Sequence, residues 1–201
     1  MEKLKLILLL FSLAFFFSGC STPTLEHTEE IVESTTQSRQ ANGKQVLLKE
    51  VLAIDDKLSI GVPKEFGEMG EEMLSIKYPS ERRPTLVYTN GQGSVNVAIN
   101  HTKTHLSSTE LNDCYESVDR AFRNLHPSAK WFNSGMVEIN DRMCFRLDLR
   151  IPALDTEIRN VMIGTELDGR LLIVSVNVIQ KLEPEWMSTV EEIISTIRVT
   201  K

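Results

Sequence analysis

The sequence predicts an α+β fold: a mainly antiparallel sheet flanked by helices, an α/β/α sandwich. Three observations predict it. Strand-like runs recur in adjacent pairs joined by short turn signals, which favours hairpins over crossovers. Two longer stretches carry apolar residues at spacings of three and four, the period of an amphipathic helix. The 201 residues are 41% hydrophobic and 25% charged, enough apolar surface to build a core that needs no metal or crosslink.

The elements follow in order. Residues 1–5 supply positive charge through Lys3 and Lys5, and residues 6–17 form a dense apolar run ending at Phe17-Ser18-Gly19-Cys20. That order is a secretory signal, and the run is shorter than the ~20 residues a spanning helix needs. The tetrapeptide resembles the lipobox of bacterial lipoproteins, with Phe17 where that motif usually has Leu. The small Ser18 and Gly19 suit a peptidase cleft, and the resemblance implies that residues 1–19 are removed. Cys20 then becomes the lipidated first residue, carrying a diacylglycerol and an amide-linked acyl chain (palmitate). Several acyl chains, each contributing about 0.8 kcal/mol per buried CH2, make such attachment practically permanent. Ser21, rather than Asp, follows the cysteine, as in lipoproteins that enteric bacteria sort to the outer membrane.

Residues 20–44 are polar, rich in Thr, Ser, Glu and Gln, and without apolar periodicity. They read as a flexible tether that would hold the body roughly 25 to 30 Å from a bilayer. The body is expected at 45–201. Loss of Lys3, Lys5 and Glu2 with the signal leaves the mature chain one unit more negative than the -6 of the full sequence. An acidic body without a clustered basic surface argues against nucleic acid as a partner.

Within the body, runs at 46–54 and 57–62 flank Asp55-Asp56 and predict a hairpin ending at Pro63. A short helix is expected at 68–76. Runs at 85–89 and 94–100, joined by Asn90-Gly91-Gln92-Gly93, predict a second hairpin. Ser107 to Glu110 offer a capping box for a helix that places Leu111, Tyr115, Val118, Phe122 and Leu125 on one stripe and stops before Pro127. Strands follow at 131–139, 142–151, 156–166 and 171–178, with turns at Asn140-Asp141, 152–155 and Asp168-Gly169. Pro184 opens a last helix whose Trp186, Val190, Ile193, Ile194 and Ile197 share a stripe, read as core packing rather than a partner-binding face. In 142–151, Met143, Phe145, Leu147, Leu149 and Ile151 share one face and Arg142, Cys144, Arg146, Asp148 and Arg150 the other. Placing Ile151 opposite Thr156 sets Arg150 against Glu157 and Asp148 against Arg159, on a face expected to be partly solvated.

This element order, with the strand ending at Val62-Pro63, the segment Arg83-Pro84-Thr85-Leu86-Val87-Tyr88, the paired strands around Asn140-Asp141-Arg142, the Asp168-Gly169 turn and the closing helix, resembles the PsbP/Mog-like superfamily. Within it the chain is most similar to DcrB-type bacterial lipoproteins, over about residues 47–199. Where that family has an aromatic in a Pro-x-x-Trp-like turn, this chain has Pro63-Lys64-Glu65-Phe66. The resemblance implies helices packed around an antiparallel sheet, used for binding or assembly rather than catalysis.

No nucleotide-binding loop, Gly-x-Ser-x-Gly elbow, His-Glu-x-x-His helix or Cys-x-x-Cys pair occurs, so no catalytic residue, cofactor or metal is assigned. His101 and His105 would stand about 13 Å apart along a strand end and read as solvated histidines rather than a metal pair. Cys114 and Cys144 read as buried free thiols, with a disulfide as the alternative an oxidising envelope allows. Arg82 and Arg83 with Arg146, Arg150 and Arg159 offer an anion-binding surface, or more simply ion pairs with Asp148 and Glu157. The expectation is a non-catalytic lipoprotein of the cell envelope that binds a protein partner and reaches the membrane through Cys20. Its membrane would be the periplasmic face of an outer membrane or the outer face of a cell membrane. The alternatives are a chaperone-like binder of apolar segments of exported proteins and, further off, a small-ligand receptor or hydrolase.

Overall fold

A computed structural model describes residues 46–79, 83–153 and 155–200. The signal at 1–19, Cys20, the tether at 20–44 and Arg82 lie outside the described residues.

The first hairpin forms as expected. Strands β1 (Leu48–Ala53) and β2 (Leu58–Pro63) pair antiparallel, with Ala53 opposite Leu58. Its turn holds Ile54, Asp55 and Asp56 at φ 52, 54 and 61, a left-handed path that Asp tolerates better than a β-branched residue. Gly67–Glu68 does not join the following helix but forms a short strand, β3, and helix α1 runs Glu71–Lys77. Strands β4 (Leu86–Thr89) and β5 (Val95–His105) make the second hairpin. β5 runs five residues beyond the sequence expectation because its partner is long enough to pair with it as far as His105. Ser107 caps a 3-10 turn that leads into helix α2 (Leu111–Leu125), and its N–H donates to Glu110 Oε2 at 3.0 Å, completing the capping box.

The strand expected at 131–139 is two strands, β6 (Lys130–Trp131) and β7 (Gly135–Ile139), both paired with β8 (Arg142–Pro152). Trp131 stands opposite Leu149 and Gly135 opposite Arg146, so three residues, 132–134, face two. This is a bulge at the sheet edge. The Phe132 N–H still reaches Asp148 O at 2.9 Å, and Gly135 continues at φ 153, where a side chain would be strained. Strands β9 (Glu157–Leu167) and β10 (Arg170–Ile179) complete the large sheet, followed by helix α3 (Glu183–Ser195) and a closing strand β11 (Arg198–Val199). The two-residue turns at 140–141 and 168–169 have positive φ at both positions, the hairpin geometry that matches strand twist.

The large sheet is ordered β3-β4-β5-β10-β9-β8-β6, with β7 also on β8, and every pairing is antiparallel. One face packs against α3 and a small sheet, β1-β2-β11, around Leu58, Ile60, Val97, Val174, Val176 and Ile193. On the other face α2 covers Phe145, Leu147, Leu149 and Met162, while α1 contributes Met73 and Leu74 over Val87 and Ala98. The fold is the mainly antiparallel α+β sandwich that the sequence predicts. Two stripe residues depart from it: Leu125 is 42% and Met143 50% exposed, both at the ends of their elements. Among the described residues no helix is long and apolar enough to cross a membrane.

Candidate functional site

The polar face of β8 carries a dense charge cluster, and it is partly solvated at Arg142, Arg146 and Arg150, as the sequence suggests, but closed at Cys144 and Asp148. It lies under α3, which reaches it through Glu183 and Glu191, and Asp148 retains 2% exposure. The register is two residues away from the expected one: Ile151 stands opposite Ile158 and Pro152 opposite Glu157. Arg150 therefore faces Arg159 directly, and Asp148 faces Val161. The connecting loop is 153–156, closed by Ala153 N–H to Thr156 O at 2.7 Å.

Like charges opposite one another are unfavourable unless other groups intervene. Here carboxylates from the diagonal positions and from α3 do so. Arg159 donates to both oxygens of Asp148 at 2.5 and 3.1 Å, and Arg150 lies 3.5 Å from Glu157. Glu183, itself buried, accepts from Arg150 Nε and Nη2 at 2.7 and 2.6 Å and lies 3.6 Å from Arg159. Arg146 joins Asp148 at 3.0 Å to Glu191 at 2.6 and 2.8 Å. Hydrogen bonding from Arg146 holds the Glu191 carboxyl below its ordinary range. The bulge turns Phe132 over this cluster, with the Arg159 guanidinium 3.1 Å from its ring centre.

Arg146, Arg150 and Arg159 are thus brought together, but each is engaged by carboxylates of the same chain rather than presented as an open anion site. Arg83 lies apart from them and pairs with Glu71. The cluster contains no nucleophile, and among the described residues no group of three or more His, Cys, Asp or Glu could hold a metal. His101 is not a solvated histidine. Its Nε2 lies 2.9 Å from Leu167 O and its Nδ1 2.8 Å from Arg170, which tie it to the β9–β10 turn, while His105 is exposed. Cys114 and Cys144 are free and belong to cores on opposite faces of the sheet, too far apart in the fold to pair. Burial, aided by Glu110, pushes the Cys114 thiol up to about 11.

Two features escaped the sequence reading. A buried polar row, Thr89, Asn96, Asn177 and Asn160, crosses β4, β5, β10 and β9 on the α1 and α2 side. Thr89 donates to Asn96 Oδ1 at 2.6 Å and Asn160 to Ile158 O at 2.9 Å. Asn is uncommon inside strands, which is a signal, but only the register aligns the residues into a row. The second is a shallow groove of about 380 Å3 along α2, lined by Tyr115, Glu116, Asp119, Arg120, Arg123 and Asn124.

No family model and no curated protein matches the chain. Solved structures do share its fold. The PsbP protein of the cyanobacterium Synechocystis sp. PCC 6803 superposes with TM-score 0.55 at 12% identity, over 82% of this chain and 98% of its own. The Ran-binding protein Mog1p of Saccharomyces cerevisiae gives 0.51 at 14%, over 77% and 96%. LpqN of Mycobacterium tuberculosis, a protein involved in cell envelope biogenesis, gives 0.50 at 10%, over 79% and 93%. At these identities the likeness is one of fold, and the fold is PsbP/Mog-like.

Proposed function

We propose that this chain is a lipid-anchored lipoprotein of the cell envelope, of the DcrB type, that binds or helps assemble another protein without catalysing a reaction. The observation that carries this reading is the order of the first twenty residues: Lys3 and Lys5, a short apolar run, then Ser18, Gly19 and Cys20. The polar stretch from Ser21 to Lys44 supports it, since it separates the acylated cysteine from the folded body. The shared fold with LpqN supports an envelope role. The charged cluster is a structural element of the body, since its arginines and carboxylates engage one another within the chain. A chaperone acting through a groove on the sheet has less support, since the apolar rows on both faces are buried within the chain.

Photocrosslinking in living cells tests the reading. Single crosslinkable residues at exposed positions should yield one specific adduct with an envelope protein, clustered on one surface and depleted in Cys20→Ala. Failure to obtain a specific adduct from any face would contradict a binding role, and an equal yield from Cys20→Ala would detach that role from the anchor.

A further inference from the structure

On the face of the large sheet that α1 and α2 cover, the apolar core is interrupted along β10. Ser175 is paired with Ala98, in the cluster under α1, and with Met162, in the cluster under α2. Two residues on, Asn177 is paired with Asn96 and Asn160. Ser175 and Asn177 are each 3% exposed, so a polar seam is shut in between two apolar clusters. Tyr78, the residue that ends α1, is itself buried and reaches into this seam. Burial pushes its phenol up to about 12, and the Asn177 amide is near enough to offset this in part.

The outer members of the seam find partners close by. Thr89 Oγ1 donates to Asn96 Oδ1, Asn96 Nδ2 donates to Gly93 O at 3.2 Å, and Asn160 Nδ2 donates to Ile158 O. Tyr78 Oη and Asn177 Oδ1 do not: both are sealed from solvent, and neither is in a hydrogen bond among the described residues. Buried polar atoms of folded proteins are nearly always paired, with protein groups or with bound water. The amide oxygen of Asn177 only accepts, whereas the Tyr78 hydroxyl can donate. One further hydroxyl satisfies both at once, accepting from Tyr78 and donating its own proton to Asn177. We propose that the seam is a binding site for one uncharged hydroxyl group, supplied by water or by a small hydroxylated molecule, held between Tyr78 Oη and Asn177 Oδ1. Ser175, on the same face, brings a third hydroxyl, in keeping with the roughly two to four polar partners of a buried water. None of Thr89, Asn96, Asn160, Ser175, Asn177 and Tyr78 is charged at neutral pH, which disfavours an ion as the occupant. The Lys77 ammonium, beside the seam, is committed to Gly93 O at 2.9 Å. The site stands independently of the anchoring proposal.

Crystals of the full-length protein, grown without polyols at a resolution that places ordered water and then soaked in glycerol, test it. Before the soak, a single oxygen peak should stand within about 3.2 Å of both Tyr78 Oη and Asn177 Oδ1. After it, a glycerol hydroxyl in the same place assigns the site to hydroxylated molecules, and an unchanged lone peak assigns it to water. Tyr78→Phe keeps the ring and removes one partner, so the peak should be lost. The wild-type crystal decides the matter even where that variant fails to fold. Tyr78 Oη bonded directly to the Asn177 amide with no peak between them, or a peak that Tyr78→Phe leaves unchanged, would overturn the site.

Discussion

The Phe145 ring lies over Gly164, its directly paired neighbour across β8 and β9, and fills the place a side chain would take. Phe145 is 1% exposed and its ring centre is 6.0 Å from that of Tyr115 on α2, so the glycine lets an aromatic ring lie flat between sheet and helix. Gly164→Ala should therefore destabilise by about 1–3 kcal/mol, the usual cost of overpacking a closed core. Denaturant melts should show a smaller penalty for the same change in a Phe145→Leu background. Equal penalties in both backgrounds would mean that the ring does not set the constraint.

Asp148→Asn should cost about 3–5 kcal/mol, because it leaves Arg159 and Arg146 facing a neutral amide in a buried site. Glu191→Gln should cost less than about 1 kcal/mol, since Glu191 is 52% exposed and solvent screens its pair with Arg146. Urea midpoints of the two variants measured together give the ratio. Comparable losses would contradict the burial gradient across the cluster.

How far the sequence reveals this cluster follows from the period of a strand. Alternation along 142–151 assigns its two faces correctly, but a slip of two residues leaves both faces unchanged, so the pattern has no power to distinguish Ile151 opposite Thr156 from Ile151 opposite Ile158. The pairs Asp148–Arg159 and Arg150–Glu157 form in either register, diagonally in the actual one. Glu183 was beyond reach: an acid at a helix start ordinarily faces water and the helix dipole, and only the tertiary position of α3 turns it onto Arg150. The break at 132–134 was hidden too, because an extra residue in an edge strand leaves no local signature beyond Gly135. By contrast, the two hairpin turns, the capping box and the apolar stripe of α3 were legible, since each depends on neighbours within a few residues.

Asn140 should matter as a clamp on α3. It sits at φ 47, and its amide donates to Ser195 O and Ile197 O, both at 2.8 Å, from a turn 55 residues away in sequence. Asn140→Gly keeps the backbone path and loses only the two bonds, at roughly 1–2 kcal/mol. Asn140→Asp places a carboxylate against two carbonyl oxygens and should lower the thermal midpoint further. If the aspartate variant is the more stable of the two, the clamp is not what holds the end of α3.

Stability should also fall in acid in a way that Glu191 shares. Arg146 lowers its folded pKa, so its contribution is present above the unfolded carboxylate range and is lost as pH drops through the folded value. Comparing the pH dependence of urea midpoints for wild type and Glu191→Gln isolates it: the variant should lose less stability between pH 7 and about pH 3.5. Identical slopes would show that the Arg146 pair is not linked to folding.

The central claim is the acyl anchor, and the intact mass of the mature protein tests it most directly. Expressed in a bacterium, the full chain should yield a product that begins at Cys20, carries diacylglycerol and an amide-linked acyl chain and fractionates with membranes, while Cys20→Ala loses both the lipid mass and the membrane retention. An unmodified soluble product cleaved near Gly19 would contradict the account and make the chain a freely diffusing exported protein.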